Sequence, residues 1–131
     1  MFKFILKFFG KSNPTRDSGI AGEKAAAKFL SKNGYKILER NWRYRRCEID
    51  IIAQLGEIVV FAEVKTRRPG ALVNGYYAAV SPRKLSKIRE GARAYLKRIS
   101  ARTWRYDVIE VDCEGKDIVD IRHFANVGFR R

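Results

Sequence analysis

Soft metal ligands are almost missing from this 131-residue chain: two cysteines, Cys47 and Cys113, and a single histidine, His123. They cannot build a four-ligand zinc site of the usual kind, so any metal here is a hard cation held by oxygen. Two thiols are also too few for a disulfide framework, which points to a reducing, cytoplasmic compartment and leaves a Cys47–Cys113 bridge open. No apolar run approaches the roughly 20 residues that span a bilayer, which excludes a membrane-crossing helix. Acids are scarce as well: 14 Asp+Glu stand against 28 Lys+Arg, a formal net charge of +14.

What is present suffices for a core. At 46% hydrophobic and 12% aromatic, a chain of this length folds as one domain. The charge excess sets its partner, because every phosphate neutralised by Lys or Arg releases condensed counterions. Solubility alone calls for a net charge of only about 2–8. Nucleic acid is therefore the expected partner. An anionic membrane surface is the rival, and residues 1–11, MFKFILKFFGK, supply an apolar foot interrupted by Lys3 and Lys7. Residues 1–16 read as a tail and linker, and residues 17–131 as the folded domain.

Periodicity orders the domain as α-β-β-β-α-β-β. Asp17 or Ser18 can cap a helix with apolar positions Ile20, Ala21, Ala25, Phe29 and Leu30, ending at Asn33-Gly34. Gly19 and Gly22 in its first turns point to a close approach by another backbone or a ligand. Strands follow over 35–42, 47–54 and 57–66, with a basic connection at 43–46 and a tight turn at Leu55-Gly56. Ser81-Pro82 opens an amphipathic helix carrying Leu85, Ile88, Ala92, Tyr95 and Ile99 on one face. Two strands, 105–112 and 117–124, close the chain.

The chemistry lies in the second and third strands. Strict alternation places Glu48, Asp50 and Ile52 on one face of the second, and Val59, Phe61, Glu63 and Lys65 on one face of the third. A tight turn between them brings Asp50 beside Glu63. Two carboxylates forced together suit Mg²⁺ or Mn²⁺, since a hard cation of this kind takes one or two carboxylates plus waters and phosphate oxygens. Lys65, about 6.6 Å along the strand from Glu63, sets an ammonium beside them. The bland alternative is a solvated charged strip, because Glu-x-Lys is a common triplet.

Gly22-Glu23 with Ala26, Gly34-Tyr35, Asn41-x-Arg43, Glu48-Ile-Asp-Ile-Ile52 and Phe61-Ala-Glu-Val-Lys-Thr-Arg67, taken in order, resemble the YraN-like family of the PD-(D/E)XK nuclease superfamily. The superfamily includes restriction endonucleases and archaeal Holliday junction resolvases. The resemblance implies an α/β fold with a restriction-endonuclease-like core, a mixed sheet flanked by helices. It implies that Asp50 and Glu63 are metal-binding acids, that Lys65 is the catalytic lysine and that Glu23 approaches the same site from the first helix. The implied reaction is Mg²⁺- or Mn²⁺-dependent hydrolysis of DNA phosphodiesters, branched DNA included, by a chain that can act as a homodimer. The alternative is a nucleic-acid-binding module that retains the fold without cleaving. The family carries glycine where this chain has Cys47, which is expected to narrow the site or shift the start of the second strand. Arg43, Arg45 and Arg46 around Trp42 and Tyr44, Arg67 and Arg68 after the third strand, and Lys84 at the second helix start are the expected nucleic-acid contacts.

Overall fold

The computed structural model describes residues 14–69 and 78–129. The element order is α1 (Pro14–Lys32), β1 (Lys36–Tyr44), β2 (Cys47–Leu55), β3 (Ile58–Arg67), α2 (Pro82–Ile99), β4 (Trp104–Glu114) and β5 (Asp117–Phe124). The five strands form one sheet in the order β1-β2-β3-β4-β5, with only the β3–β4 pair parallel. Parallel neighbours need a crossover, and the segment containing α2 supplies it. The result is a mixed α/β fold, a sheet with α1 on one face and α2 on the other. No helix among the described residues is long and apolar enough to cross a membrane.

Each face reads off side-chain alternation. Val59 and Phe61 of β3 pack under α2 with Ile88, Ala92 and Tyr95, whereas Ala62 and Val64 pack under α1 with Ala26 and Leu30. The α2 side is aromatic, with Phe61 edge-on to Tyr95 and Trp104 at 6.0 and 5.7 Å between ring centroids. The α1 side is lined by smaller residues, so that helix lies close to the sheet. α2 starts as its sequence predicts: Ser81 Oγ accepts from the Lys84 N–H at 3.3 Å and Pro82 occupies the first turn.

Three expectations change. α1 begins at Pro14, so residues 14–16 form helix rather than the end of a linker. Ser18 is therefore no cap; its Oγ donates to the Gly115 carbonyl at 2.9 Å and ties α1 to the β4–β5 turn. Arg43 and Tyr44 continue β1, and only Arg45 and Arg46 form the turn. Cys47 is buried against α2 at Gly91, where a Cβ would lie 2.4 Å from its Sγ, and the charges of Lys84 and Glu63 act on its thiol. Both cysteines are buried free thiols. Residues 1–11 and Gly75 lie outside the described residues.

Candidate active site

β2 and β3 pair regularly from Leu55↔Ile58 back to Ile51↔Ala62, and the ladder stops there. The next level holds Asp50 and Glu63. Instead of a ladder bond, the Val64 N–H donates to Asp50 Oδ2 at 2.7 Å, so this carboxylate stands in for a strand backbone where β2 and β3 part. The assignment of Glu48, Asp50 and Ile52 to one face fails for a local reason. Cys47, Ile49 and Ile52 all pack on the α2 side, whereas Ile51 and Ala53 pack on the α1 side. The chain thus switches faces between Ile49 and Ile51. Opposite Asp50, in β1, Asn41 adopts φ 51°. Irregularities of this kind re-aim a side chain within a sheet, and this one turns Asp50 toward β3.

Glu63 projects from the α2 face of β3 and is 7% exposed. Two lysines hold it. Lys65 Nζ lies 3.3 Å from Oε1 and Lys84 Nζ lies 3.4 Å from Oε2, one from each side. Lys84, expected as an outlying nucleic-acid contact, is thus part of the centre, carried in by the first turn of α2. Burial, then the negative charge of Glu63, pushes the Asp50 carboxyl up to about 7; Glu23 adds to the rise and Lys84 opposes it. Glu23 in α1 and Lys84 in α2 therefore both act on Asp50, one from each helix layer. Among the described residues no three His, Cys, Asp or Glu side chains are grouped to hold a metal ion. The two acids are the donors on offer, and two carboxylates suffice for a cation that keeps waters and phosphate oxygens.

Glu23 reaches this region because of its neighbour. A Cβ on Gly22 would lie 2.1 Å from Thr66 Oγ1, so only glycine lets α1 approach β3 this closely. Gly22→Ala is expected to destabilise the fold by about 1–3 kcal/mol, and Thr66→Ala in the same chain to recover most of it. Thermal melts of the two variants decide; equal destabilisation in both would show that the contact is not the cause.

The other expected contacts separate into classes. Arg43 pairs with Glu48 at 2.8 Å on the β1–β2 hairpin and Arg45 reaches Glu90 of α2 at 3.4 Å, while Arg46 and Arg68 are exposed. Arg67 is not a simple phosphate ligand: its Nε lies 3.1 Å from Asp112 Oδ1, and Arg122 Nη2 shares that oxygen at 2.8 Å. Arg122 also reaches Glu110 at 3.2 Å and Asp120 at 2.8 Å. Hydrogen bonding from Arg122, with Arg67, holds the Asp112 carboxyl below its usual range. Tyr106 carries no signal in the sequence. It is fully buried, donates to the Ala79 carbonyl at 3.0 Å, and its hydroxyl is pushed up by burial and by the charges of Glu63 and Asp50. The parallel β3–β4 register places Tyr106 there, and no local motif announces it.

The family model described as "Uncharacterised protein family UPF0102" matches residues 22–111, a span that begins beside Glu23 and contains Asp50, Glu63, Lys65 and Lys84. This chain belongs to the UPF0102 family. It is 43% identical over 121 residues to a UPF0102 protein of Acetivibrio thermocellus, covering 88% of this chain and 92% of that one. A UPF0102 protein of Chlorobium phaeobacteroides is 40% identical over 116 residues, 82% of this chain and 90% of its own. One of Symbiobacterium thermophilum is 45% identical over 100 residues, 75% and 84% respectively. The part of this UPF0102 chain that positions the acids and lysines is thus the part its family model describes.

Proposed function

We propose that this chain is a divalent-cation-dependent hydrolase of nucleic-acid phosphodiesters, built on a restriction-endonuclease-like core. The observation that carries the reading is the charge arrangement at the β2–β3 fork. Asp50 resists ionisation because it is buried beside Glu63, and two ammonium groups stand within 3.4 Å of Glu63. A fold gains nothing from such repulsion, whereas a site for a dication and an anionic substrate needs it.

The donor set fits Mg²⁺ or Mn²⁺: both donors are carboxylates, and a dication offsets the burial and the Glu63 charge that keep Asp50 protonated. Asp50 and Glu63 would hold it. When bound, the cation supplies Lewis-acid polarisation and charge neutralisation at the phosphoryl group. Lys65 and Lys84 offer ammonium groups to phosphate oxygens as negative charge gathers there. Their pairing with Glu63 fixes both before substrate arrives, so little reorganisation is needed. Glu23 adds a negative charge from the α1 side that strengthens the demand for a cation. The net charge of +14 draws the polyanion in.

The test uses end-labelled single-stranded, duplex and four-way-junction DNA, with Mg²⁺ or Mn²⁺ and with EDTA. Product is expected with metal, none with chelator, and at least about 100-fold less from Asp50→Ala, Glu63→Gln and Lys65→Ala. Undiminished cleavage by these variants overturns the reading. One observation favours a non-catalytic binding module instead. Val64 N–H and the two lysines already satisfy the acids without a metal. Tight DNA binding with no product under either metal would decide for the module.

A further inference from the structure

The helix that delivers Lys84 carries a second cationic surface. Ser86, Arg89, Glu90, Arg93 and Lys97 follow the helical period along one stripe of α2, flanking the stripe that packs on the sheet. With Tyr44 of β1 they line an open groove of about 490 Å³. From Ser86 to Lys97 the stripe runs roughly 16 Å at 1.5 Å per residue. It holds three cations and one acid, and that acid, Glu90, is engaged by Arg45 at 3.4 Å.

The aromatic wall of the groove is anchored. Tyr44 stacks on Trp42 with 6.0 Å between centroids and 7° between planes. Trp42 is in turn held edge-on by Tyr95 of α2 at 5.3 Å. The Arg45 guanidinium lies over the Tyr44 ring, 5.2 Å from its centroid, so a base stacks on that guanidinium plane or takes its place on the ring. A row of cations beside a fixed aromatic platform is the arrangement that holds a single strand, with phosphates along the cations and a base on the ring. A duplex keeps its base faces stacked inside and cannot use the platform.

We propose that this groove binds a single-stranded segment of nucleic acid at a place distinct from the Asp50–Glu63 centre. The inference rests on the nucleic-acid reading above and not on cleavage. Its test is fluorescence anisotropy of the full chain with a labelled twelve-nucleotide oligo-dT in EDTA, across a range of salt. The triple variant Arg89→Ala, Arg93→Ala, Lys97→Ala is expected to bind at least roughly tenfold more weakly. Its salt slope should fall by about 2, at about 0.7 for each phosphate no longer neutralised. Tyr44→Leu is expected to bind about tenfold more weakly with an unchanged slope, and Tyr44→Phe to bind as the wild type does.

Lys24, Lys28 and Lys32 supply the control. They share the four-residue spacing and are exposed on α1, so their replacement by Ala removes equal charge away from the groove. Equal weakening in the two triple variants would reduce the effect to bulk charge and overturn the proposal. Wild-type binding by Tyr44→Leu would do the same. So would dependence on the α2 triple only for vesicles of phosphatidylcholine and phosphatidylglycerol, without any for oligo-dT. Groove-dependent binding with no product in Mg²⁺ defeats the hydrolase reading alone; cleavage with unaltered binding by the groove variants defeats this one alone.

Discussion

Asp50→Asn is expected to melt about 5 °C above the wild type at pH 8 and, under the hydrolase proposal, to cleave at least about 100-fold less. The folded chain holds a proton on Asp50 up to about pH 7, against an ordinary value of 3.8. Folding therefore takes up a proton between roughly pH 4 and 7. The stability this carboxyl contributes is complete below pH 4 and is lost as pH rises toward 7, because its charged form is buried beside Glu63. Asparagine removes that charge, and its side-chain oxygen still accepts the Val64 N–H. A gain of about 1 kcal/mol corresponds to several degrees in a domain this size. The gap should close at pH 4, and also at pH 8 when Mg²⁺ saturates the wild type. Melting temperatures by circular dichroism at the two pH values decide it. An Asp50→Asn variant that melts with the wild type at pH 8 would show that the acid pair carries no strain.

The second large effect lies on the neighbouring strand β4, where the register sets Asp107 beside Ala62. Asp107 is fully buried in β4 and gathers four donors. Arg105 Nε and His123 Nε2 lie 2.9 and 2.7 Å away, Arg105 Nη2 lies at 3.0 Å, and the Asn126 N–H donates at 2.9 Å. Arg105 also donates to the Tyr35 hydroxyl. One carboxylate thus ties together β4, β5 and the segment after it, and through Arg105 reaches Tyr35 just before β1. Asp107→Ala strands the Arg105 charge and is expected to cost about 3–5 kcal/mol. That is enough to lower the melting temperature by more than about 10 °C. Despite burial, the bonds from His123, Arg105 and Asn126 hold the Asp107 carboxyl below its ordinary 3.8. Its contribution is thus present above that value and lost as pH falls through the folded one. The variant should accordingly show a flatter acid limb. Replacing Arg105 by Met together with Asp107→Leu removes the stranded cation and should recover part of the loss. No recovery would place the cost elsewhere.

His123 illustrates how much of the molecule a local reading misses. No sequence signal pairs it with Asp107, because the β4–β5 register that brings them together is a property of the assembled hairpin. Arg67 illustrates the same limit differently. Its place directly after Glu63 and Lys65 suggests a phosphate ligand, yet the parallel pairing of β3 and β4 sets it beside Asp112. Lys84 is legible as a basic residue at a helix start; its approach to Glu63 depends on how α2 crosses the sheet.

Periodicity and turn chemistry alone determined the element order, the Ser81-Pro82 helix start and the two faces of β3, because these follow from spacings within a few residues. Of the two early glycines expected to mark a close approach, Gly22 does so against Thr66, whereas a Cβ on Gly19 would meet nothing within 4 Å. The meeting of Asp50 with Glu63 was half determined, since the turn fixed the register while the crease at Asn41 and Asp50 fixed the direction of the carboxylate. Long-range pairing decided the rest: the two lysines on Glu63, the Arg122 network and the groove beside Tyr44. Their partners lie tens of residues apart, and only the packed sheet and helices bring their charges within reach.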